Sequence, residues 1–130
     1  MKYILDSDFL FGLYVIHDPH HKETTSSLRK IQKNKDKLII LNLVIQETAT
    51  VLSRKDSQKT GLIFLEEILK MPVEIMSLDE EDKKLAWEIF KKQTKKGTSF
   101  IDCANLAIAK KYKFDGILSF DEFYAGIKVK

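Results

Sequence analysis

Tyr3-Ile4-Leu5-Asp6-Ser7-Asp8-Phe9-Leu10 runs from an apolar stretch through two carboxylates and a hydroxyl back into apolar residues. A short apolar run stopped by polar residues reads as a buried strand, and the longer apolar segment after it as a helix packed over that strand. The same alternation continues along the chain. Strands are predicted at 2–6, 38–41, 73–76, 116–119 and 127–129. Helices are predicted at 9–16, 20–33, 42–54, 57–69, 77–93 and 99–112. Asn42 is a candidate cap for the third helix, Pro72 stops the fourth, and Ser77-Leu78-Asp79-Glu80 has the spacing of a capping box for the fifth. Short apolar strands separated by helices predict the α/β class: three layers, α/β/α, around a central, mostly parallel sheet of about five short strands. With no linker, repeat or low-complexity tract, residues 1–130 read as a single domain.

In such sheets ligands collect at the carboxyl ends of the strands. Asp6 and Asp121 fall at or just past two of those ends, and Glu47 and Asp102 would project from helices entering the same edge. Carboxylates are hard oxygen donors, so four of them without a cluster of imidazole or thiolate favour Mg2+ or Mn2+ over zinc. If gathered, they would repel one another until a divalent cation arrives. Asp6 shares its junction with Ser7 and Asp8, a surplus for one helix cap; Asp8 is the better cap candidate, which frees Asp6. Glu47 lies one turn from Leu43 and one from Val51, in line with apolar residues, where an unpaired glutamate is costly to bury. A salt bridge to Arg54, two turns on, is the structural alternative. Asp102 forms a second [ST]-x-x-[DE] box with Ser99, and it and Asn105 are the polar interruptions of an otherwise apolar helix expected to be buried. Asp121 follows Ser119-Phe120 and could equally be a turn residue.

Other features read as structural. Asp79 to Asp82 complement the N-terminus of a helix whose far end carries Lys91 and Lys92. Asp115 resembles a turn residue. His17, His20 and His21 surround Asp18-Pro19 in an exposed loop, and Leu85, Trp87, Ile89 and Phe90 form a core or interface stripe. The net charge is +3, and all basic residues but Arg29 and Arg54 are lysine. That suits a polyanionic partner such as RNA, with little material for bidentate base reading. Cys103 is the sole cysteine, which excludes an intrachain disulfide and suits a reducing compartment. Asp6 cuts the first apolar run too early for a signal-peptide core, and no run approaches the ~18 apolar residues of a membrane span. The expected location is the cytoplasm.

Tyr3-Ile4-Leu5-Asp6-Ser7-Asp8-Phe9-Leu10, Ile45-Gln46-Glu47-Thr48, Ser99-Phe100-Ile101-Asp102-Cys103-Ala104 and Ile117-Leu118-Ser119-Phe120-Asp121 together resemble the PIN-domain ribonucleases, and among them the VapC-like toxins of toxin–antitoxin pairs. The resemblance covers essentially the whole chain. It implies that Asp6, Glu47, Asp102 and Asp121 hold one or two Mg2+ or Mn2+ ions, with Ser7 and Asn105 in support. It also implies a metal-dependent endoribonuclease acting on transfer or ribosomal RNA, products with 5′-phosphate and 3′-hydroxyl ends, a small antitoxin and a homodimer. Asp8 departs from the family's more usual small neutral residue and is either a fifth carboxylate or a cap. Glu122 and Phe123 follow Asp121 one residue more tightly than usual, with Tyr124 as a substitute aromatic. Two other readings stay open. One is a PIN-like module that binds RNA or protein without cleaving it. The other is a haloacid-dehalogenase-type phosphatase with Asp6 as nucleophile, although Phe9-Leu10 stands where that fold has Gly-Thr.

Overall fold

Lys2–Leu5 (β1) is the strand on which the sheet is built. In the computed structural model, which describes residues 1–124 and 126, β1 is flanked by Lys37–Leu41 (β2) and Gly116–Leu118 (β4). Glu74–Met76 (β3) lies outside β2, giving the order β3-β2-β1-β4. Every pairing is parallel, and Ile4 stands opposite both Ile39 and Ile117. All three isoleucines are fully buried. Water is excluded from both faces of the central strands, which is why they read as unbroken apolar runs rather than alternating ones.

Six helices cover the sheet: Ser7–Tyr14 (α1), His21–Lys33 (α2), Asn42–Lys55 (α3), Gln58–Ile68 (α4), Glu80–Lys92 (α5) and Phe100–Lys111 (α6). A short 3-10 turn, Glu122–Tyr124, follows β4. Helix α1 packs on α2 and α3, and α3 on α4; α5 packs on α6. From β1 to β3 the chain steps outward in one direction, then doubles back past β1 to lay down β4. Right-handed crossovers place α1–α4 on one face and α5–α6 on the other, giving three layers. The direction of winding reverses between β1 and β4, the place where α/β sheets open a crevice. Among the described residues no helix is long and apolar enough to cross a membrane.

The fold class is the expected one, with local corrections. The described sheet has four strands rather than about five, and the strand expected at 127–129 lies outside the described residues. Asn42 is not a cap: the helix begins at Asn42 itself, with Leu41 as the flanking residue and no side-chain cap bond. The capping box before α5 is Asp79 with Asp82, two residues later than Ser77 with Glu80. Asp82, a buried carboxylate, also accepts from Lys111 Nζ at 2.8 Å and ties the start of α5 to the end of α6. That second partner favours the later register. Helix α1 starts at Ser7, and the capping oxygen is Asp6 Oδ1 rather than Asp8.

Helices α2 and α6 both end in Schellman motifs that deliver the chain to the two neighbours of β1. Asp36 N–H donates to Ile31 O and Lys35 N–H to Gln32 O; likewise Phe114 N–H donates to Ala109 O and Lys113 N–H to Lys110 O. The left-handed position that glycine usually fills is a lysine in each, Lys35 at φ 58° and Lys113 at φ 55°. An L-residue there costs about 1–2 kcal/mol, more than the ~0.5–1 kcal/mol of extra unfolded-state freedom that glycine brings. Lys35→Gly and Lys113→Gly are each expected to stabilise the fold by about 0.5–1 kcal/mol, measured as a rise in the midpoint of urea denaturation at unchanged slope.

Candidate active site

Asp6 leaves the sheet at the point of reversal, its N–H still donating to Leu118 O at 3.1 Å. Only 3% exposed, its carboxylate is saturated by short-range donors: Oδ1 accepts from Ser7 N–H at 2.8 Å and Asn105 Nδ2 at 3.0 Å, and Oδ2 from Ser119 Oγ at 3.1 Å. Ser119 Oγ is also 3.1 Å from both oxygens of Asp8, while accepting from Asp121 N–H at 3.0 Å. One hydroxyl proton is thus offered to two carboxyl groups. Asp8 takes a further bond from Phe120 N–H at 2.9 Å. It is therefore part of the acidic cluster and not a cap.

The electrostatic consequence follows from burial. Burial, and after it the Asp8 charge, pushes the Asp6 pKa up to about 8, against the bond from Ser7; Asp102 pushes the same way. Asp8 is raised by burial, with Asp121 adding to it, although the Phe120, Ser119 and Phe9 bonds oppose the shift. Glu47, half-buried on α3, is raised by burial and by Asp102 and Asp8, and the Ser7 hydroxyl bonded to it pulls the other way. The Ser7 contact is the partner found in place of the Arg54 salt bridge.

Asp102 sits three residues into α6. The Ser99 box is formed as expected, with Ser99 N–H donating to Asp102 Oδ2 at 3.0 Å and Asp102 N–H to Ser99 Oγ at 3.1 Å. The helix is buried as expected, Cys103, Ala104, Asn105, Ala107, Ile108 and Ala109 being enclosed, while the Asp102 side chain itself is half-buried. Its Oδ1 accepts from the Tyr124 hydroxyl at 3.2 Å. Asn105, fully buried one turn on, donates to both Asp6 and the Tyr124 hydroxyl, and its own Oδ1 is without a partner. Tyr124, Ser119 and Asn105 form a polar spine beneath the acids. Burial pushes the Tyr124 hydroxyl far above its ordinary range, with Asp6 and Asp102 adding to it, so it stays a proton donor.

Asp121 stands at the margin. Its Oδ1 accepts from Lys95 Nζ at 2.7 Å and from Phe123 N–H at 2.9 Å; its N–H is bonded to Ser119 Oγ, and its charge acts on Asp8. The structure therefore brings Asp6, Asp8, Glu47 and Asp102 into one field and holds Asp121 beside it under a lysine. Among the described residues, no three His, Cys, Asp or Glu side chains are gathered tightly enough to hold an ion as they stand. A cleft of about 380 Å³ opens over Ser7, Asp8 and Glu47. Its far wall includes His20, whose ring lies 3.8 Å from that of Phe120 and nearly parallel to it, so this histidine borders the site instead of standing apart in a loop. His21 is spent on structure, its Nδ1 2.9 Å from Gly12 O.

The sequence reading left Asp8 open between a fifth carboxylate and a cap and named Tyr124 only as a substitute aromatic; it missed Ser119 and Lys95. The signal for Asp8 was present in the surplus of polar residues at 6–8. For the others only the fold carries the information.

Fold and site together define an α/β protein with a carboxylate centre at the reversal point of its sheet. The PIN domain profile matches residues 3–128, and the chain belongs to that family. It is 27% identical over 128 residues, 96% of its length and 80% of the relative's, to a protein named VapC ribonuclease from Archaeoglobus fulgidus. In structure it is similar to VapC20 of Mycobacterium tuberculosis, a toxin described as cleaving the sarcin–ricin loop. The TM-score is 0.82 at 19% identity, over 95% of this chain and 93% of that one. VapBC2 from Rickettsia felis, solved with a DNA fragment from its promoter, matches with a TM-score of 0.71 at 18% identity, over 98% and 93%.

A group whose pKa is raised by folding stabilises the fold fully below its unfolded pKa and loses that contribution as pH rises through the folded value. For Asp6 that window runs from about pH 4 to about pH 8. Asp6→Asn, which keeps the two bonds accepted at Oδ1 and can donate from Nδ2 to Ser119 Oγ, is without the charge and is expected to melt close to wild type at pH 4.5. In metal-free buffer at pH 8 it should melt roughly 3–8 °C higher, as thermal scans of the two proteins at both pH values would measure.

Proposed function

We propose that this protein is a ribonuclease that uses Mg2+ or Mn2+ to hydrolyse RNA phosphodiester bonds, and that it is the toxin of a toxin–antitoxin pair. The observation that carries the reading is the single Ser119 proton held between Asp6 and Asp8, with Asp102 close enough to raise both Asp6 and Glu47 further. A buried acidic cluster short of protons favours a cation. The donor set is all oxygen, which fits a hard divalent ion, and the partnerless Oδ1 of Asn105 adds a neutral oxygen beside it. Asp6, Glu47, Asp102 and Asp121 are the proposed ligands, joined by Asp8, with Ser7 and Asn105 in support. The ion would draw these side chains inward from their present spacing. RNA as substrate is supported by family membership and by the ribonuclease name of the Archaeoglobus relative.

One or two bound ions would supply the acidification of water and the charge neutralisation that phosphodiester hydrolysis needs. The chain's own residues do the rest. The Ser99 box fixes Asp102 at the start of α6. Asn105 and Ser7 fix Asp6, leaving no rotational freedom in the most buried acid of the cluster. Ser7 orients Glu47, and the surface lysines hold the phosphate backbone. Asp6 is too enclosed for in-line attack on a phosphoester, which weighs against the phosphatase reading. A small antitoxin, a second copy of the chain, transfer or ribosomal RNA as target and a cytoplasmic location complete the proposal. Trp87 and Phe90, 47% and 38% exposed, give a second copy an apolar face. The Lys95–Asp121 ion pair favours the alternative of a non-catalytic binding module, since a lysine there does part of a cation's work.

Purified protein freed of any co-purifying partner is expected to cleave cellular RNA with Mg2+ or Mn2+ and not with chelator. Asp102→Asn should lower the rate at least about 100-fold, as loss of a charge-stabilising group implies. Full activity in chelator, or in Asp6→Asn plus Asp102→Asn, would sink the assignment. Lys95→Met separates the two readings of Asp121. A nuclease should bind Mn2+ at least as tightly after the change and cleave at no less than about half its rate. A binding module should lose RNA affinity and show no cleavage.

A further inference from the structure

Three rings rise in a column from the core to the mouth of the acidic cleft. Phe9, buried under the sheet end, stacks on Phe120 with ring centres 6.4 Å apart and planes 18° from parallel. Phe120 stacks in turn on His20 at 3.8 Å and 12°. His20 is the outermost ring, with 48% of its side chain exposed, and both it and Phe120 line the cleft that contains Asp8 and Glu47. The loop that carries His20 is pinned. Asp18 Oδ2 accepts from His20 N–H at 3.0 Å, and the loop lies on α1 where Gly12 leaves room: a Cβ there would come within 3.3 Å of His20 Cβ and 3.1 Å of the Thr24 methyl. An imidazole held flat on a phenyl ring, in a loop built around a glycine, is a fixed surface rather than a wandering side chain.

The rest of the cleft is divided by chemistry. Along α3, Glu47, Val51 and Lys55 line it at successive turns, so a carboxylate, a methyl surface and an ammonium stand in a row about 12 Å long. Phe11 adds a second apolar wall. A purely ionic site would have no use for these apolar and aromatic walls, and a purely apolar ligand none for the acids and Lys55. A nucleotide needs both, with a flat base to stack and a phosphate to neutralise.

We propose that His20 is a positioning residue for the RNA, the platform on which the base next to the scissile phosphate stacks, with Phe120 behind it and Lys55 receiving the neighbouring phosphate. The inference rests on the ribonuclease reading and deepens it. It assigns nucleotide selectivity to an aromatic stack outside the acidic cluster. Stacking tolerates any base but favours purines for their larger face, so the cleaved position should show a purine bias.

The test compares wild type, His20→Ala and His20→Trp in steady-state kinetics on an RNA that wild type cleaves, with the cut sites mapped. Loss of the ring should raise KM roughly 5- to 100-fold with kcat changed less than about 3-fold, and relax the base bias. Tryptophan should restore both. A fall in kcat at unchanged KM, an unchanged KM and bias in His20→Ala, or failure of tryptophan to rescue would overturn the proposal. A second measurement separates this proposal from the ribonuclease reading. Short RNAs carrying 2-aminopurine at one position are titrated with wild type and His20→Ala, and fluorescence quenching reports stacking. Quenching that requires His20 without any cleavage would overturn the nuclease and keep the platform. Cleavage without His20-dependent quenching, or no RNA binding at all, would overturn the platform.

Discussion

A single hydroxyl proton placed between two buried carboxyl groups is the constraint around which this molecule is arranged. Ser119 has one proton for Asp6 and Asp8 together, and Asp6, 3% exposed, has no water in reach to make up the shortfall. The surrounding structure contains the tension rather than removing it. Asn105 and the Ser7 amide hold Asp6, the Phe120 amide holds Asp8, and Tyr124 props Asp102. Remove the winding reversal between β1 and β4 and Ser119 and Phe120 would not meet Asp6 and Asp8, because the two pairs follow the strands on either side of it.

The arrangement trades stability for readiness. An apolar trio at positions 6, 8 and 119 would pack more cheaply than three groups competing for one proton. The fold tolerates the cost because its core lies elsewhere, in Ile4, Ile39, Ile117 and the helix residues pressed on them. The ends of the flanking elements are firmly tied: both helices that lead into the neighbours of β1 close in full Schellman motifs, and Asp82 joins α5 to α6. Rigid supports around a strained centre hold the acids at fixed positions.

Much of this was legible in the residues. Unbroken apolar runs gave the central strands, since burial on both faces leaves no polar alternation to interpret. The Ser99–Asp102 box was readable because both partners lie within one turn, and the same holds for Asp6, whose surplus of polar neighbours marked it. What escaped reading depends on distance along the chain. Asp8 looked like a cap because caps are local, whereas its real partners are Ser119 and Phe120. Asn42 and Ser77 were ranked by propensity; for α5 the register chosen instead answers to packing, through the bond of Asp82 to Lys111 at the far end of α6. Lysine in the left-handed position of two helix ends gives no sign of itself, since the motif is set by hydrogen bonds that any residue can make. Tyr124 and Lys95 acquire meaning only after β4 has been placed.

The separation of the site's halves also bears on when the molecule becomes whole. Asp6 precedes nearly every other element, while Asn105 and Ser119 follow it by 99 and 113 residues. Contacts of such sequence separation form late, because a long loop must close before they return anything. During synthesis β1 waits with one edge open, able to pair with β2 but not with β4. The acids are then solvated, hydrated singly and mutually indifferent. The cluster therefore forms late in folding, only once the sheet is complete.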